Sequence, residues 1–259
     1  MTITAVIITK NEEANIARCL DSLQDITDEI IVLDSFSTDN TSTICKQYPS
    51  VKFIQKEWAG YAAAKNFADE QATSNFILSI DADEMVSKEL KESILDIKSK
   101  RMTHKAYQFN RLNHIGGEPV RHSGWYPDRK IRLFPTKHSH WEGDFAHETL
   151  KTIPEVSTLQ GDLLHFTCSS FEEMSNKQRQ YAELGAYELY EKGKHFSDIK
   201  RAVKVFFKFF SIYILKLGIL DGFKGYKIAS ISAYYLDYKL MVLKKLEEKD
   251  NAKAFNLEA

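Results

Sequence analysis

Short apolar runs alternate with helical patterns along the first third of the chain. Apolar residues recur at helical spacing in residues 12–23, in a segment that ends at Ile44 and in residues 60–72. Between these helices, uninterrupted apolar runs predict buried strands at residues 4–9, 29–33, 51–54 and 75–80. Because strands that alternate with helices are typical of βαβ units, we predict an α/β fold with a mainly parallel central sheet and flanking helices.

The pattern changes after residue 105. Residues 106–112 and 130–134 predict two further strands, and the stretch between them is rich in glycine and proline, which favours a loop. Ser170 and Glu173 have the spacing of a capping box, which predicts a helix that runs to about Lys192. We therefore expect a main domain over residues 1–169, with halves at 1–100 and 101–169, and a helical C-terminal region over 170–259.

Residues 199–220 combine many aromatic and aliphatic residues with a narrow basic stripe. Lys200, Arg201, Lys204 and Lys208 fall within about a third of a helical wheel. These charges interrupt the roughly 20 apolar residues that a membrane-spanning helix needs. The segment therefore predicts a basic amphipathic helix at an anionic membrane surface, with a helix packed in the core as the alternative.

Composition narrows the class of protein. The chain has 259 residues, of which 43% are hydrophobic, so it can bury a sizeable core. Its net charge of −1 gives no global attraction to nucleic acid, and we expect no nucleic-acid partner. Cys19, Cys45 and Cys168 lack metal-ligand spacing, and no basic leader precedes the apolar run that stops at Lys10. These features predict a cytoplasmic protein.

Acidic residues follow two of the predicted strands. Asp34 ends the second strand, and Asp81 and Asp83 follow the fourth. Ligands on such sheets collect at the carboxyl ends of strands, where carboxylates can hold Mg²⁺ or Mn²⁺, a ribose or a base. Lys65, on a helix of small residues, could offset phosphate charge. Taken singly, each has a structural alternative: a helix cap for Asp34, a solvated turn for Asp81 and Asp83, and an exposed helix lysine for Lys65.

Several segments, in this order, resemble the family 2 glycosyltransferases, which are inverting enzymes with a nucleotide-diphospho-sugar transferase fold. The four that carry the resemblance are I-I-T-K-N-E-E (7–13), V-L-D-S-F-S-T-D-N-T (32–41), A-K-N-F-A (64–68) and L-S-I-D-A-D-E (78–84). Phe36 stands where the family usually has a glycine. Four more are similar to a subgroup that builds lipopolysaccharide or lipooligosaccharide inner cores: R-K-I-R-L-F (129–134), W-E-G-D-F-A-H-E (141–148), G-I-L-D-G-F-K-G (218–225) and A-Y-Y-L-D-Y-K-L (233–240).

The resemblance implies a metal-dependent hexosyltransferase of lipopolysaccharide or other cell-envelope polysaccharide synthesis, peripheral at the inner face of the cell membrane. Its substrates would be a nucleotide-diphospho-sugar donor and a glycan or glycolipid acceptor. Residues 1–100 would form the nucleotide-sugar half and residues 101–169 the acceptor half of a catalytic domain. The donor-binding residues that the resemblance implies are Thr9, Asn11, Glu12, Asp34, Lys65, Asp81 and Arg132.

The same resemblance implies the residues of the chemical step. Asp83 and His147 would bind the divalent cation, Mg²⁺ or Mn²⁺, although a purely structural role for His147 is an alternative. Glu148 would be the base that takes the proton of the acceptor hydroxyl, with Glu142 and Asp144 as the other candidates.

Two other functions were weighed against this one. A sugar-nucleotide pyrophosphorylase shares the sheet type but normally needs a glycine-rich phosphate loop near the N-terminus, and residues 7–13 contain no glycine. A catalytically inactive membrane-associated scaffold of the same fold is the alternative from another class of protein. The acids at positions 34, 81, 83 and 148 argue against that scaffold.

Overall fold

The computed structural model describes residues 1–100, 105–143 and 148–257. The strands are β1 (Ile3–Thr9), β2 (Glu29–Asp34), β3 (Val51–Gln55), β4 (Phe76–Asp81), β5 (Glu84–Val86), β6 (Ala106–Ile115), β7 (Glu118–Pro119), β8 (Asp128–Pro135), β9 (His140–Glu142), β10 (Thr149–Lys151) and β11 (Val156–Cys168). The α-helices are α1 (Ile16–Leu23), α2 (Thr41–Cys45), α3 (Tyr61–Asp69), α4 (Lys88–Ser99), α5 (Phe171–Glu191), α6 (Asp198–Phe210) and α7 (Phe223–Leu257). Two compact units share these elements: Met1–Leu112 with Pro127–Phe166, and Asn113–Tyr126 with Thr167–Ala259.

The central sheet has the strand order β3-β2-β1-β4-β8-β6-β11-β5. Its first four strands pair in parallel, as the βαβ pattern predicts. Beyond β4 the described pairings β4–β8, β6–β8 and β5–β11 are antiparallel, so the sheet is mixed. The predicted α/β fold is confirmed, and its parallel half carries the strand ends at which ligands are expected.

Alternation along the strands places apolar residues on both faces of the sheet. In β1, Ile3, Ala5 and Ile7 point into one core with α1 and α4. Val6, between them, points into the opposite core, which α3 covers with small alanines. A strand that is buried on both faces reads as a continuous apolar run, which is why β1 was predictable from the sequence.

The sequence analysis predicted no element for α4, β5 or β11. Helix α4 is mostly charged and buries only Leu90 and Ile94, so its apolar pattern is sparse. Many residues of strand β11 are half-exposed, so buried and exposed positions do not alternate clearly along it. Gly161 lets this strand pass close to α4, because a Cβ there would lie 2.2 Å from the Leu90 nitrogen.

The second unit is mainly helical, and its first helix, α5, begins at the predicted cap. The Ser170 hydroxyl accepts the Glu173 amide, and the Glu173 carboxylate accepts the Ser169 amide, which confirms a capped helix start. Helices α5 and α6 both pack on α7. No helix among the described residues is long and apolar enough to cross a membrane.

The predicted helix over 199–220 is wrong in its last residues. Helix α6 ends at Phe210, a π-helical turn follows to Leu215, and Leu217 then takes a φ of 55°, which stops the helix. The chain reverses tightly here, since a Cβ on Gly225 would lie only 1.7 Å from the Gly218 carbonyl oxygen. The segment 218–225 therefore needs glycine at these positions to fold back.

Candidate active site

A cavity of about 510 Å³ lies at the carboxyl ends of β1 and β4 in the first unit. Thr9 and Glu12 line it from β1 and the loop that follows, and Asp81 and Asp83 line it from β4 and the turn beyond. The Thr9 hydroxyl is buried and has no hydrogen-bond partner among the described residues. A buried hydroxyl without a partner at a cavity wall is suited to a polar ligand. Further lining residues are Trp58, Tyr61, Glu148 and His165.

A network of ion pairs brings predicted site residues from distant segments together. The Lys65 ammonium is 97% buried and donates to Glu148 Oε1 at 2.9 Å, while it lies 3.6 Å from Asp81 Oδ1. Arg132 Nη2 donates to Asp81 Oδ2 at 2.6 Å and to Glu84 Oε1 at 2.7 Å. Helix α3, strand β4 and strand β8 thus fix one charged wall of the cavity.

Burial and charge compete at this wall. Burial raises the pKa of the Asp81 carboxyl, but the positive charges of Arg132 and Lys65 outweigh it and hold that pKa well below its usual range. Burial lowers the pKa of the Arg132 guanidinium, yet Asp81 and Glu84 more than compensate and raise it. Asp81 is therefore an ionised acceptor that is already engaged by two cations.

Asp83 lies beside a histidine that the sequence analysis missed. His165 Nε2, on β11, is hydrogen-bonded to Asp83 Oδ2 at 3.1 Å, and both side chains line the cavity. A carboxylate oxygen next to an imidazole nitrogen is a donor pair that Mn²⁺ accepts readily, and Asp83 alone suits Mg²⁺. The described residues contain no group of three or more potential protein ligands, so diphosphate oxygens and water would have to complete such a site. His147, the second metal ligand named above, lies outside the described residues.

Asp34 and Asn11 tie two loops together instead of lining the cavity. The Asp34 carboxylate is fully buried, where it accepts the Ser37 amide and hydroxyl and the Gln55 side-chain amide. Asn11 donates its backbone N–H to the Ser37 hydroxyl and accepts the Thr38 amide. Donor binding by Asp34 and Asn11 stays a prediction.

The candidates for the base occupy different places. Glu148 lines the cavity with Asp81 and Asp83, and 23% of its side chain is exposed. Glu142, on β9, is 54% exposed, and its hydrogen bond with His140 lowers its pKa. Asp144 lies outside the described residues. Of the two described candidates, only Glu148 borders this cavity.

Trp58, Tyr61 and His165 are cavity residues that the sequence analysis did not name. Tyr61 opens the helix that carries Lys65, and its ring packs edge-on against Trp58 at 4.7 Å. Trp58 lies on a loop and Tyr61 at the start of a helix, so neither belongs to a periodic pattern that could be recognised in the sequence. The register of β11 against β5 pairs His165 with Glu84, so recognising that strand would have brought the histidine to the acidic turn.

The comparisons with known proteins identify a family of glycosyltransferases. The model of the family described as glycosyl transferase family 2 matches residues 4–146. The chain is 32% identical over 258 residues to an uncharacterized glycosyltransferase of Rickettsia typhi, which covers 95% of this chain and 88% of the relative. It is 29% identical over 226 residues to the lipopolysaccharide core biosynthesis glycosyltransferase LpsC of Rhizobium meliloti, which covers 85% of this chain and 82% of that protein.

Among solved structures, the crystal structure of S. aureus TarS 1–349 in complex with UDP-GlcNAc is similar, with a TM-score of 0.50. The similarity covers 96% of this chain and 92% of that one at 15% sequence identity. At this identity the likeness concerns the fold alone, and it agrees with the predicted nucleotide-diphospho-sugar transferase fold.

Proposed function

Because the chain belongs to glycosyl transferase family 2, we propose that it is an inverting glycosyltransferase that moves a hexose from a nucleotide-diphospho-sugar to a glycan or glycolipid acceptor. The observation that carries this proposal is the 510 Å³ cavity that Asp81, Asp83 and Glu148 line together, which we call the donor cavity. Its position at the carboxyl ends of parallel strands is where nucleotides bind to open α/β sheets. Residues 1–100 form the donor half and 101–169 the acceptor half of a 1–169 catalytic domain, with a helical region over 170–259.

The donor half offers groups for each part of a nucleotide-diphospho-sugar. The buried Thr9 hydroxyl and the Glu12 carboxylate, both at the cavity wall, suit hydroxyl and amide groups of the nucleoside. Asp81 would accept from the ribose, with Arg132 and Lys65 holding its carboxylate in place. A bound divalent cation would neutralise the diphosphate leaving group, and Asp83 with His165 would hold it.

Glu148 would carry the proton transfer. As the acceptor hydroxyl oxygen attacks the anomeric carbon, its proton passes to the Glu148 carboxylate. The bond between that carbon and the diphosphate oxygen breaks, and the nucleoside diphosphate leaves with the bonding electrons. Attack on the face opposite the leaving group inverts the anomeric configuration. Lys65 would orient the base, because it donates to Glu148 Oε1 at 2.9 Å.

The similarity to LpsC supports a role in lipopolysaccharide or other cell-envelope polysaccharide synthesis. Such acceptors are anchored in a membrane, so the enzyme would work in the cytoplasm at the inner face of that membrane. The second unit offers a suitable surface. The exposed apolar residues of the second unit include Phe206, Leu215 and Phe223, each with more than half of its surface exposed.

Charge complements this apolar surface. Between residues 199 and 236 the sequence contains five lysines near the exposed aromatics, Lys204, Lys208, Lys216, Lys224 and Lys227, and further cations at 200 and 201. The one acid in that stretch, Asp221, points inward and accepts the His122 amide and the Ser123 hydroxyl, while Arg201 and Lys224 form ion pairs with Asp237 and Glu118. Apolar side chains surrounded by cations are suited to the interface of an anionic bilayer.

A catalytically inactive scaffold of the same fold is the alternative function. It would have no use for a carboxylate at the wall of a donor cavity beside a candidate cation site. The arrangement of Glu148, Asp83 and His165 therefore favours the enzyme.

The proposal is tested by donor binding. We expect a subset of nucleotide sugars to raise the melting temperature in the presence of Mn²⁺, and Asp83→Asn to abolish the Mn²⁺-dependent part of that rise. Asp25→Asn, which changes an exposed acid outside the cavity, is the matched control and should behave as the wild type. An Asp83→Asn protein with the same Mn²⁺-dependent shift as the wild type would contradict the metal assignment. The absence of any shift with the wild type would contradict the proposed function.

A further inference from the structure

A second cavity, of about 450 Å³, lies in the first unit and is lined mostly by cations. Its basic residues are Lys65, Arg111, Arg129, Lys130 and Arg132. We call it the basic cavity. Asp81 and Glu148 line both this cavity and the donor cavity, so the two spaces meet at the predicted base.

The positive charge of the basic cavity is only partly compensated. Lys65 and Arg132 are engaged by the buried carboxylate of Glu84 and by the partly exposed carboxylates of Asp81 and Glu148, as described above. Arg111 also lies 3.6 Å from Glu84 Oε1, and among the described residues one further acid pairs with the remaining cations.

That acid is Asp128, and it is already shared. Arg111 contacts Asp128 Oδ2 through Nη2 at 2.6 Å and through Nε at 2.9 Å, and Lys130 lies 3.2 Å from Asp128 Oδ1. The Arg129 guanidinium makes no ion pair with any residue in the described part of the chain, and its side chain is exposed. The basic cavity therefore keeps at least one arginine available for an anion.

We propose that the basic cavity binds the acceptor saccharide and recognises an anionic group on it, a phosphate monoester or a carboxylate, through Arg129. The inference rests on the proposed function, because it takes Glu148 as the base. An acceptor hydroxyl held at Glu148 would face the donor cavity, and the anionic group of the same saccharide would lie among the cations. The planar guanidinium of arginine matches the two oxygens of either anion and forms paired hydrogen bonds with them.

This arrangement makes the basic cavity selective for anionic acceptors over neutral ones. A neutral saccharide would leave the Arg129 charge without a partner, whereas an anionic one would gain charge-assisted hydrogen bonds. The class of acceptor follows from the charges of the cavity: a saccharide that carries a phosphate or a carboxylate near the hydroxyl that is glycosylated.

The test measures anion binding with the donor cavity filled. The protein is saturated with Mn²⁺ and with whichever of UDP, GDP and ADP binds, and is then titrated with glucose 6-phosphate, glucuronate and methyl glucoside. We expect one of the two anions to bind at least about tenfold more tightly than methyl glucoside, since a hydrogen bond to a charged group is worth about 1.5–3 kcal/mol. The tighter of the two anions identifies phosphate or carboxylate as the group recognised.

Variants assign the effect to the basic cavity. Arg129→Gln should weaken binding of the preferred anion at least about tenfold, while Arg129→Lys, which keeps the charge but loses the paired geometry, should lie between the two. Lys137→Gln removes an exposed cation that lines neither cavity and should change affinity less than about twofold. Equal affinity of Arg129→Gln and the wild type for both anions would overturn the inference, and so would anions that bind no better than methyl glucoside.

The donor panel separates this inference from the proposed function. Arg129 does not line the donor cavity, so the nucleotide-sugar shift of Arg129→Gln should match that of the wild type. Donor binding without Arg129-dependent anion binding would overturn the inference and leave the proposed function standing. Failure of every nucleotide sugar to bind the wild type would contradict the proposed function.

Discussion

Arg132 is the residue on which the charged wall depends most. Its guanidinium contacts the buried Glu84 carboxylate at 2.7 Å and the partly exposed Asp81 carboxylate at 2.6 Å. Burial raises the pKa of Glu84, and Arg132 opposes that shift without cancelling it. A buried charge that loses its partner keeps the full cost of its desolvation, so this site is sensitive to the loss of one guanidinium.

We expect Arg132→Gln to lower the free energy of unfolding by about 3–5 kcal/mol, because the buried Glu84 carboxyl would lose its nearest cation and Asp81 would lose one of its two. Urea denaturation measures the effect. Lys130→Gln is the control, since it removes an exposed cation on the same strand and should cost less than about 1 kcal/mol. Equal stability losses in the two variants would show that the buried pairs do not hold the wall.

At the scale of elements, helix α3 holds the short hairpin of β9 and β10. The Asn66 side chain donates to the Trp141 carbonyl and accepts the Trp141 amide, both at 2.8 Å. Asp69 Oδ2 accepts the Trp141 indole N–H at 2.9 Å. Because Glu148 directly precedes β10, these contacts hold the strands next to Glu148 against the helix that carries Lys65.

The Asp69 contact predicts a pH dependence. Burial raises the pKa of Asp69 to about 7, although the Trp141 indole and the Lys65 charge oppose that shift. A carboxyl whose pKa is higher in the folded state binds its proton more tightly there, so the stability that it contributes is lost as the pH rises towards 7. Asp69→Asn keeps an acceptor for the indole but cannot ionise.

We therefore expect Asp69→Asn to gain stability relative to the wild type as the pH rises from 5 to 8. Urea midpoints of both proteins at pH 5 and pH 8 measure this change. Asp21→Asn, at an exposed position, should show no such trend. A difference between Asp69→Asn and the wild type that is the same at both pH values would mean that Asp69 does not ionise in this range.

How much the sequence predicts also differs between elements. Three of the four parallel strands, β1, β2 and β4, are buried on both faces, so their apolar runs were sufficient, and Asp34, Asp81 and Asp83 were found from the strand ends. His165 reaches Asp83 across 82 positions of sequence, on a strand whose alternation is weak. The pairing of Lys65 with Glu148 is similarly non-local, so it could be recognised only in the folded structure. Phe36 takes a φ of 56°, the conformation for which the family's usual glycine is suited.

At the scale of the whole molecule, the chain combines a unit with a donor cavity and a unit with an apolar, basic surface. Helix α6 packs on α7 but contains no fully buried residue, and Lys204 and Lys208 are exposed beside Phe206 and Phe207. A glycolipid acceptor lies in a membrane, so this surface would hold the enzyme at the membrane that contains its acceptor.

The membrane surface is tested by charge reversal. We expect the double variant Lys204→Glu, Lys208→Glu to bind vesicles of anionic phospholipid at least about tenfold more weakly, since each cation contributes about 1 kcal/mol near such a surface. Lys46→Glu, Lys52→Glu reverses two exposed lysines of the first unit and is the control. Co-sedimentation that is insensitive to the first pair, or equally sensitive to both, would contradict this surface.

The central claim is that the enzyme transfers a sugar from a donor bound in the donor cavity, with Glu148 as the base. Turnover and donor affinity of Glu148→Gln test this claim most directly. The substitution keeps the size of the side chain but cannot take a proton. With a bacterial glycolipid extract as acceptor and the nucleotide sugar that binds best, we predict that release of nucleoside diphosphate falls by about 10²–10⁴-fold. Donor affinity by calorimetry should stay within a few-fold, and Glu142→Gln should turn over like the wild type. A Glu148→Gln enzyme with wild-type turnover would contradict the account.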